Sequence, residues 1–103
     1  METTIKEKFT RVQRADGKFN FIDKDGKFLS NEWFSYVEDF HDGIARVQRS
    51  DKLCNYINKK GKIISDEWFY AVLAFKDGLA LVERTNGESC KIDKQGRIVG
   101  YCK

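Results

Sequence analysis

His41 is the only imidazole in this chain of 103 residues, and that narrows the chemistry on offer. A nucleophile needs a base within hydrogen-bond reach. Thirty-five residues on from His41 stands Lys76, so the position takes different polar groups and is expected to face solvent. Asp42 and Asp77 each precede a glycine, the setting in which aspartate bonds its own backbone within a turn. The other acids are spread along the chain rather than paired for acid–base work. Neither a phosphate-cradling G-x-x-x-x-G-K loop nor a dinucleotide G-x-G-x-x-G fingerprint occurs. The expectation is a protein with no catalytic residues and no cofactor.

Metal chemistry fares no better. Cys54, Cys90 and Cys102 contain no C-x-x-C spacing, and with a single histidine they assemble no zinc ligand set. Three cysteines cannot all pair within one chain, and the reading adopted is three reduced thiols in a cytoplasmic protein. Asp23-Lys24-Asp25-Gly26 resembles part of a calcium loop. Its later counterparts, Asn58-Lys59-Lys60-Gly61 and Asp93-Lys94-Gln95-Gly96, put lysine and glutamine where Asp25 stands, so a turn is expected and no metal.

Two residue sets could build a binding surface. Arg14, Arg49 and Arg84 recur at one spacing, as do Lys24, Lys59 and Lys94, and Lys27, Lys62 and Arg97. Stacked copies would align them into ladders able to follow nucleic-acid phosphates. A net charge of only +3 favours the simpler account, in which they keep turns and strand edges soluble. The aromatic pairs Trp33-Phe34 and Trp68-Phe69 are the stronger candidates. In adjacent residues one ring is expected in the core, leaving the other to pack on a neighbouring unit or to meet a protein partner.

What must position these residues is a repeat. Gly26, Gly61 and Gly96 fix a gapless period of 35 residues. Glu32-Trp33-Phe34 returns as Glu67-Trp68-Phe69, and Arg11-Val12-Gln13-Arg14 as Arg46-Val47-Gln48-Arg49. The period divides one domain, residues 1–103, into a leader (1–8), repeat 1 (9–43), repeat 2 (44–78) and a truncated repeat 3 (79–103). Within repeat 1, aromatic and β-branched runs flank Asp16-Gly17, a hairpin signal. A second turn at Asp23–Gly26 leads to a third strand at Lys27–Leu29. Each unit therefore reads as a three-stranded antiparallel meander, in an all-β fold. The remaining segment carries Trp33, Tyr36, Val37 and Phe40 at helical spacing, and is expected to form a helical turn or bent aromatic connector. Whether the units form an open array or a small barrel stays open at this point.

Phe21-Ile22-Asp23-Lys24-Asp25-Gly26-Lys27, with its counterparts from Tyr56 and Ile92, and Phe40–Val47, with its counterpart Phe75–Val82, resemble the WG-containing repeat of bacterial proteins. The naming Trp-Gly dipeptide is replaced by Phe19-Asn20, Cys54-Asn55 and Ser89-Cys90. The resemblance implies a β-rich repeat array used as a binding or scaffolding surface, with no catalytic residue to carry over.

No apolar run approaches the roughly 18 residues a membrane span needs, and the opening residues lack a signal-peptide h-region. The function expected is a non-catalytic protein-binding module, for which a small phage-type inhibitor occluding a host protein is one form. The alternative is a nucleic-acid binder using the basic ladders. A monomer or weak homodimer with no membrane partner is expected. The first strand has no preceding connector to cover it, so the array ends join Trp33 and Trp68 as candidate contact surfaces.

Overall fold

Short runs of β-branched and aromatic residues between glycine-bearing turns give eight strands. In chain order they are β1 (Thr10–Gln13), β2 (Phe19–Ile22), β3 (Tyr36–Val37), β4 (Ile44–Gln48), β5 (Cys54–Asn58), β6 (Ala71–Val72), β7 (Leu79–Glu83) and β8 (Ser89–Asp93). The computed structural model describes residues 9–100 and 102. The leader expected at 1–8 lies outside the described residues, as do Tyr101 and Lys103. The strands form three antiparallel sheets, β1-β2, β3-β4-β5 and β6-β7-β8. No helix occurs among the described residues, and so none that is long and apolar enough to cross a membrane. The all-β expectation holds, and the choice between barrel and array is settled. The sheets do not close on one another, and they extend over 46 × 37 × 16 Å.

Register follows the repeat without slippage. Arg11 faces Phe21, Arg46 faces Tyr56 and Leu81 faces Lys91. The tight two-residue turn expected at Asp16-Gly17 is instead a three-residue loop, closed by Arg14 N–H to the Lys18 carbonyl and Gly17 N–H to the Arg14 carbonyl. Gly17 takes a φ of 90° there, and Lys52 must adopt 73° at the same place in the second copy. The two-residue hairpin turn falls at Asp42-Gly43 and Asp77-Gly78, where both residues have positive φ and His41 and Ile44 exchange backbone hydrogen bonds. That is the mirror-image turn that matches strand twist.

Two details of the unit differ from expectation. The third strand shrinks to single bridges, Ile22 to Phe28, Ile57 to Ile63 and Ile92 to Ile98. Of the two forms expected of the aromatic connector, the helical turn is the one that does not occur, and the segment is bent and extended. Phe34 exchanges backbone hydrogen bonds with Phe19 at 2.7 and 2.8 Å, closing the edge of β2, and Ser35 and Glu38 donate to the Gln48 and Arg46 carbonyls of the next sheet. A five-residue stretch is thus divided between two sheets. Extended pairing satisfies backbone groups that a two-turn helix of weak helix formers would leave open at its ends.

The core forms two clusters. One gathers Phe21, Phe34, Val37, Ala45, Val47 and Ile57; the other is built around Tyr56, Phe69, Val82 and Ile92. Phe40 bridges consecutive sheets, with its ring 5.1 Å from Phe9 and 4.9 Å from Phe21. Phe75 repeats this 4.8 Å from Tyr56. The cysteine reading needs correction as well. Cys90 and Cys102 are joined in a disulfide, and Cys54 alone is free. Disulfides persist in oxidising compartments, so the argument from reduced thiols to a cytoplasmic location loses its basis.

Candidate partner-binding surface

Each Trp-Phe pair is split by a bulge. Residues 30 to 33 swing out of the sheet edge between Leu29, whose N–H bonds the Phe21 carbonyl, and Phe34, which bonds Phe19. Ser30 Oγ accepts from the Glu32 N–H at 2.9 Å and tightens the bulge, as Ser65 does for Glu67 at 3.0 Å. The bulge is held open from inside by Asn20. Its Nδ2 donates to the Ser30 carbonyl at 2.8 Å, while its Oδ1 accepts from the Phe21 N–H at 2.7 Å. Asn55 repeats the arrangement, donating to the Ser65 and Glu67 carbonyls and accepting from Tyr56 N–H. Both asparagines are fully buried, so these bonds satisfy groups whose loss would cost about 1–3 kcal/mol each.

The consequence for the aromatics is a division of labour. Phe34 and Phe69 are each 1% exposed and belong to the core, so neither ring is available to a partner in the folded chain. Trp33 and Trp68 are half-buried on the bulges, Trp68 packing in part against the core cluster around Phe21 and Phe34. Each lies under a guanidinium, Arg14 at 4.5 Å from the Trp33 ring and Arg49 at 4.2 Å from Trp68. Such contacts contribute about 0.5–1 kcal/mol at exposed sites. The guanidinium is oriented from its other side by an aspartate: Arg14 Nη2 to Asp16 at 2.7 Å, Arg49 Nη2 to Asp51 at 2.8 Å. The hydrogen bond from Arg14, aided by the Lys18 N–H, holds the Asp16 carboxyl down at about 2, below the usual carboxylate range. Asp51 is lowered by Arg49 in the same way. The outcome is a Trp–Arg–Asp stack repeated at the period of the array, with a shallow recess of about 280 Å³ beside it, lined by Trp33, Phe34, Arg49 and Asp51 among others. Phe28, 59% exposed and 5.1 Å from Trp33, widens the apolar part.

The basic ladders are not brought together as free cations. Besides Arg14 and Arg49, Arg84 is bound by Glu67 and Glu88, Lys94 by Asp42, and Arg97 by Asp93. Lys24 lies 3.9 Å from Asp25. Lys27, Lys59 and Lys62 are exposed on turns. His41 is exposed at its hairpin turn. Glu88, Cys90 and Cys102 are grouped within 4.8 Å, but the sulfurs are spent on the disulfide and Glu88 on Arg84. The residues that reading the sequence missed are Asn20 and Asn55. Their signal was present, since a polar residue recurs inside a strand where the Trp-Gly pattern has glycine.

Bulge, hairpin and buried tether recur at the spacing that the repeat sets. The WG containing repeat family matches this chain at residues 21–52 and 56–87, and the chain belongs to that family. No curated protein matches it.

Proposed function

We propose that this chain is a non-catalytic protein-binding module that presents the Trp33 and Trp68 stacks to a protein partner. The observation carrying this reading is the repetition of a half-buried tryptophan, held beneath an aspartate-oriented arginine, at equivalent places of two sheets. Tryptophan and arginine are the residues in which interface energy concentrates. Rings fixed by their neighbours lose little entropy when a partner covers them. Occluding a host protein is one form such a module takes, and it needs nothing beyond this surface.

The reading as a nucleic-acid binder has weaker support, because the arginines of the first ladder are engaged by carboxylates. Breaking those pairs would offset much of the gain from releasing phosphate counterions. The test is affinity capture from the native cell with the wild-type chain and with a Trp33→Ala/Trp68→Ala variant whose amide spectrum shows it folded at the capture temperature. A partner retained by the first and lost by the second supports the reading. Equal capture by both, or capture of nucleic acid released by moderate salt, would sink it.

A further inference from the structure

β4 and β7 each lie between two strands, whereas β1 pairs only with β2. In the second sheet the Ser35 and Glu38 N–H groups bond the Gln48 and Arg46 carbonyls, and in the third Tyr70 and Leu73 bond Glu83 and Leu81. The equivalent carbonyls of β1 belong to Gln13 and Arg11. Among the described residues nothing pairs with them, and β1 borders an open groove of about 710 Å³ lined by Phe9, Arg11, Val12, Phe19 and Phe40 among others. Val47 and Val82 are buried at 2% and 1%, but Val12, at the same place, is only half-buried. Val47 is covered by its cross-strand partner Val37.

The chain itself shows what fits this edge. Arg46 receives its carboxylate from the strand beside it, with Nε 2.8 Å from Glu38 Oε1, and donates from Nη1 to the Val72 carbonyl. Arg11 makes the second bond, to the Val37 carbonyl. For a carboxylate it turns instead to Asp39, whose side chain is 75% exposed. The complementary strand therefore has a β-branched residue opposite Val12 and an acidic residue directly after it. Continued backward, the 35-residue phase puts Glu2 and Thr3 at those two places, the wrong chemistry at both. The Val37-Glu38 and Val72-Leu73 strands of a second copy are already engaged in its own sheets.

We infer that the outer edge of β1 is a strand-acceptor site for an extended partner segment, antiparallel to β1, in which a β-branched residue is followed by an acidic one. Main-chain hydrogen bonds supply affinity in such strand addition, and side-chain places supply choice. The site uses none of Trp33, Trp68, Arg14 or Arg49, so it stands or falls apart from the function proposed above.

A synthetic peptide copying residues 33–42 is titrated into the ¹⁵N-labelled full chain and followed by amide shifts. Saturable shifts confined to Thr10–Gln13 and their neighbours in β2 are expected. Replacing the peptide's glutamate with lysine should weaken binding about fivefold or more, since attraction becomes repulsion at a partly exposed pair. Arg11→Glu should reverse the preference, with Arg11→Gln as a milder control that binds both peptides alike. Trp33→Ala and Trp68→Ala should leave peptide binding unchanged. Absence of saturable shifts would overturn the proposal. So would shifts at β4, which mean that the peptide displaces β3, or binding seen only after removal of residues 1–8, which means that the chain fills its own edge.

Discussion

Cys90 is joined to Cys102 across twelve residues, the interval over which the Asn55 amide reaches the Glu67 carbonyl at 3.1 Å. The two linkages occupy equivalent places one repeat apart. A covalent bond in the third unit thus replaces a buried side-chain amide in the second, and both fasten a strand to the segment beyond it.

Reduction should therefore loosen the third sheet. A loop of this size predicts a loss of about 3 kcal/mol, read as a fall in denaturation midpoint on adding dithiothreitol. Cys102→Ser should match the reduced wild type. A Cys90→Asn/Cys102→Glu variant, which reinstates the residues of the second copy, should recover part of the loss without responding to reductant. A midpoint indifferent to reductant would contradict this.

Substitution should separate the two members of each aromatic pair. Phe34→Ala or Phe69→Ala removes a fully buried ring and should cost about 3–5 kcal/mol. Trp33→Ala or Trp68→Ala gives up a half-buried ring and a cation–π contact, and should cost about 1–2 kcal/mol. Chemical denaturation of the four variants checks the order. Equal losses would mean that the tryptophans belong to the core.

Close packing between units falls at two glycines, Gly61 against the Leu29 backbone and, one repeat on, Gly96 against the Ile64 backbone. A Cβ at Gly61 would lie 2.3 Å from the Leu29 carbonyl oxygen, whereas at Gly26 it would meet nothing within 4 Å. Both residues have φ of 82°. Gly26→Ala should cost only the left-handed strain, about 1–2 kcal/mol, while Gly61→Ala adds a steric cost of about 1–3 kcal/mol. Thermal melts of the two variants provide the comparison.

Acid should act through the Trp–Arg–Asp stacks. The Asp16 carboxyl is lowered from 3.8 to about 2 in the folded chain. Its contribution is therefore complete above the unfolded value and lost as pH falls through the folded one. Asp16→Asn should flatten the pH dependence of stability across that window. A carbon-detected carboxyl titration of the wild type should find the Asp16 midpoint well below the usual carboxylate range.

The period, the sheet class and the burial of one ring per pair were legible because side-chain alternation and turn residues are written locally. The connector was not. Trp33, Tyr36, Val37 and Phe40 are spaced like a helix face, yet the residues that bury are Phe34 and Val37. Their spacing arises because the strand changes sheets midway, which no single-period template describes. The Asp16-Gly17 signal was assigned to the wrong hairpin geometry. Lys52 tolerates positive φ in Gly17's place, so residue type alone underdetermined the turn. The cysteine count concealed the Cys90–Cys102 bond, since an odd total is compatible with one pair and a remainder.

Phe34 closes one sheet, and two residues later Tyr36 opens the next. No cut at a repeat boundary can then release a unit that owns all its hydrogen bonds. The sheets interlock like overlapping tiles, each held down by a strip continuous with its neighbour. Melting one should strip an edge from the other, so heat should be absorbed in a single cooperative event despite the modular sequence.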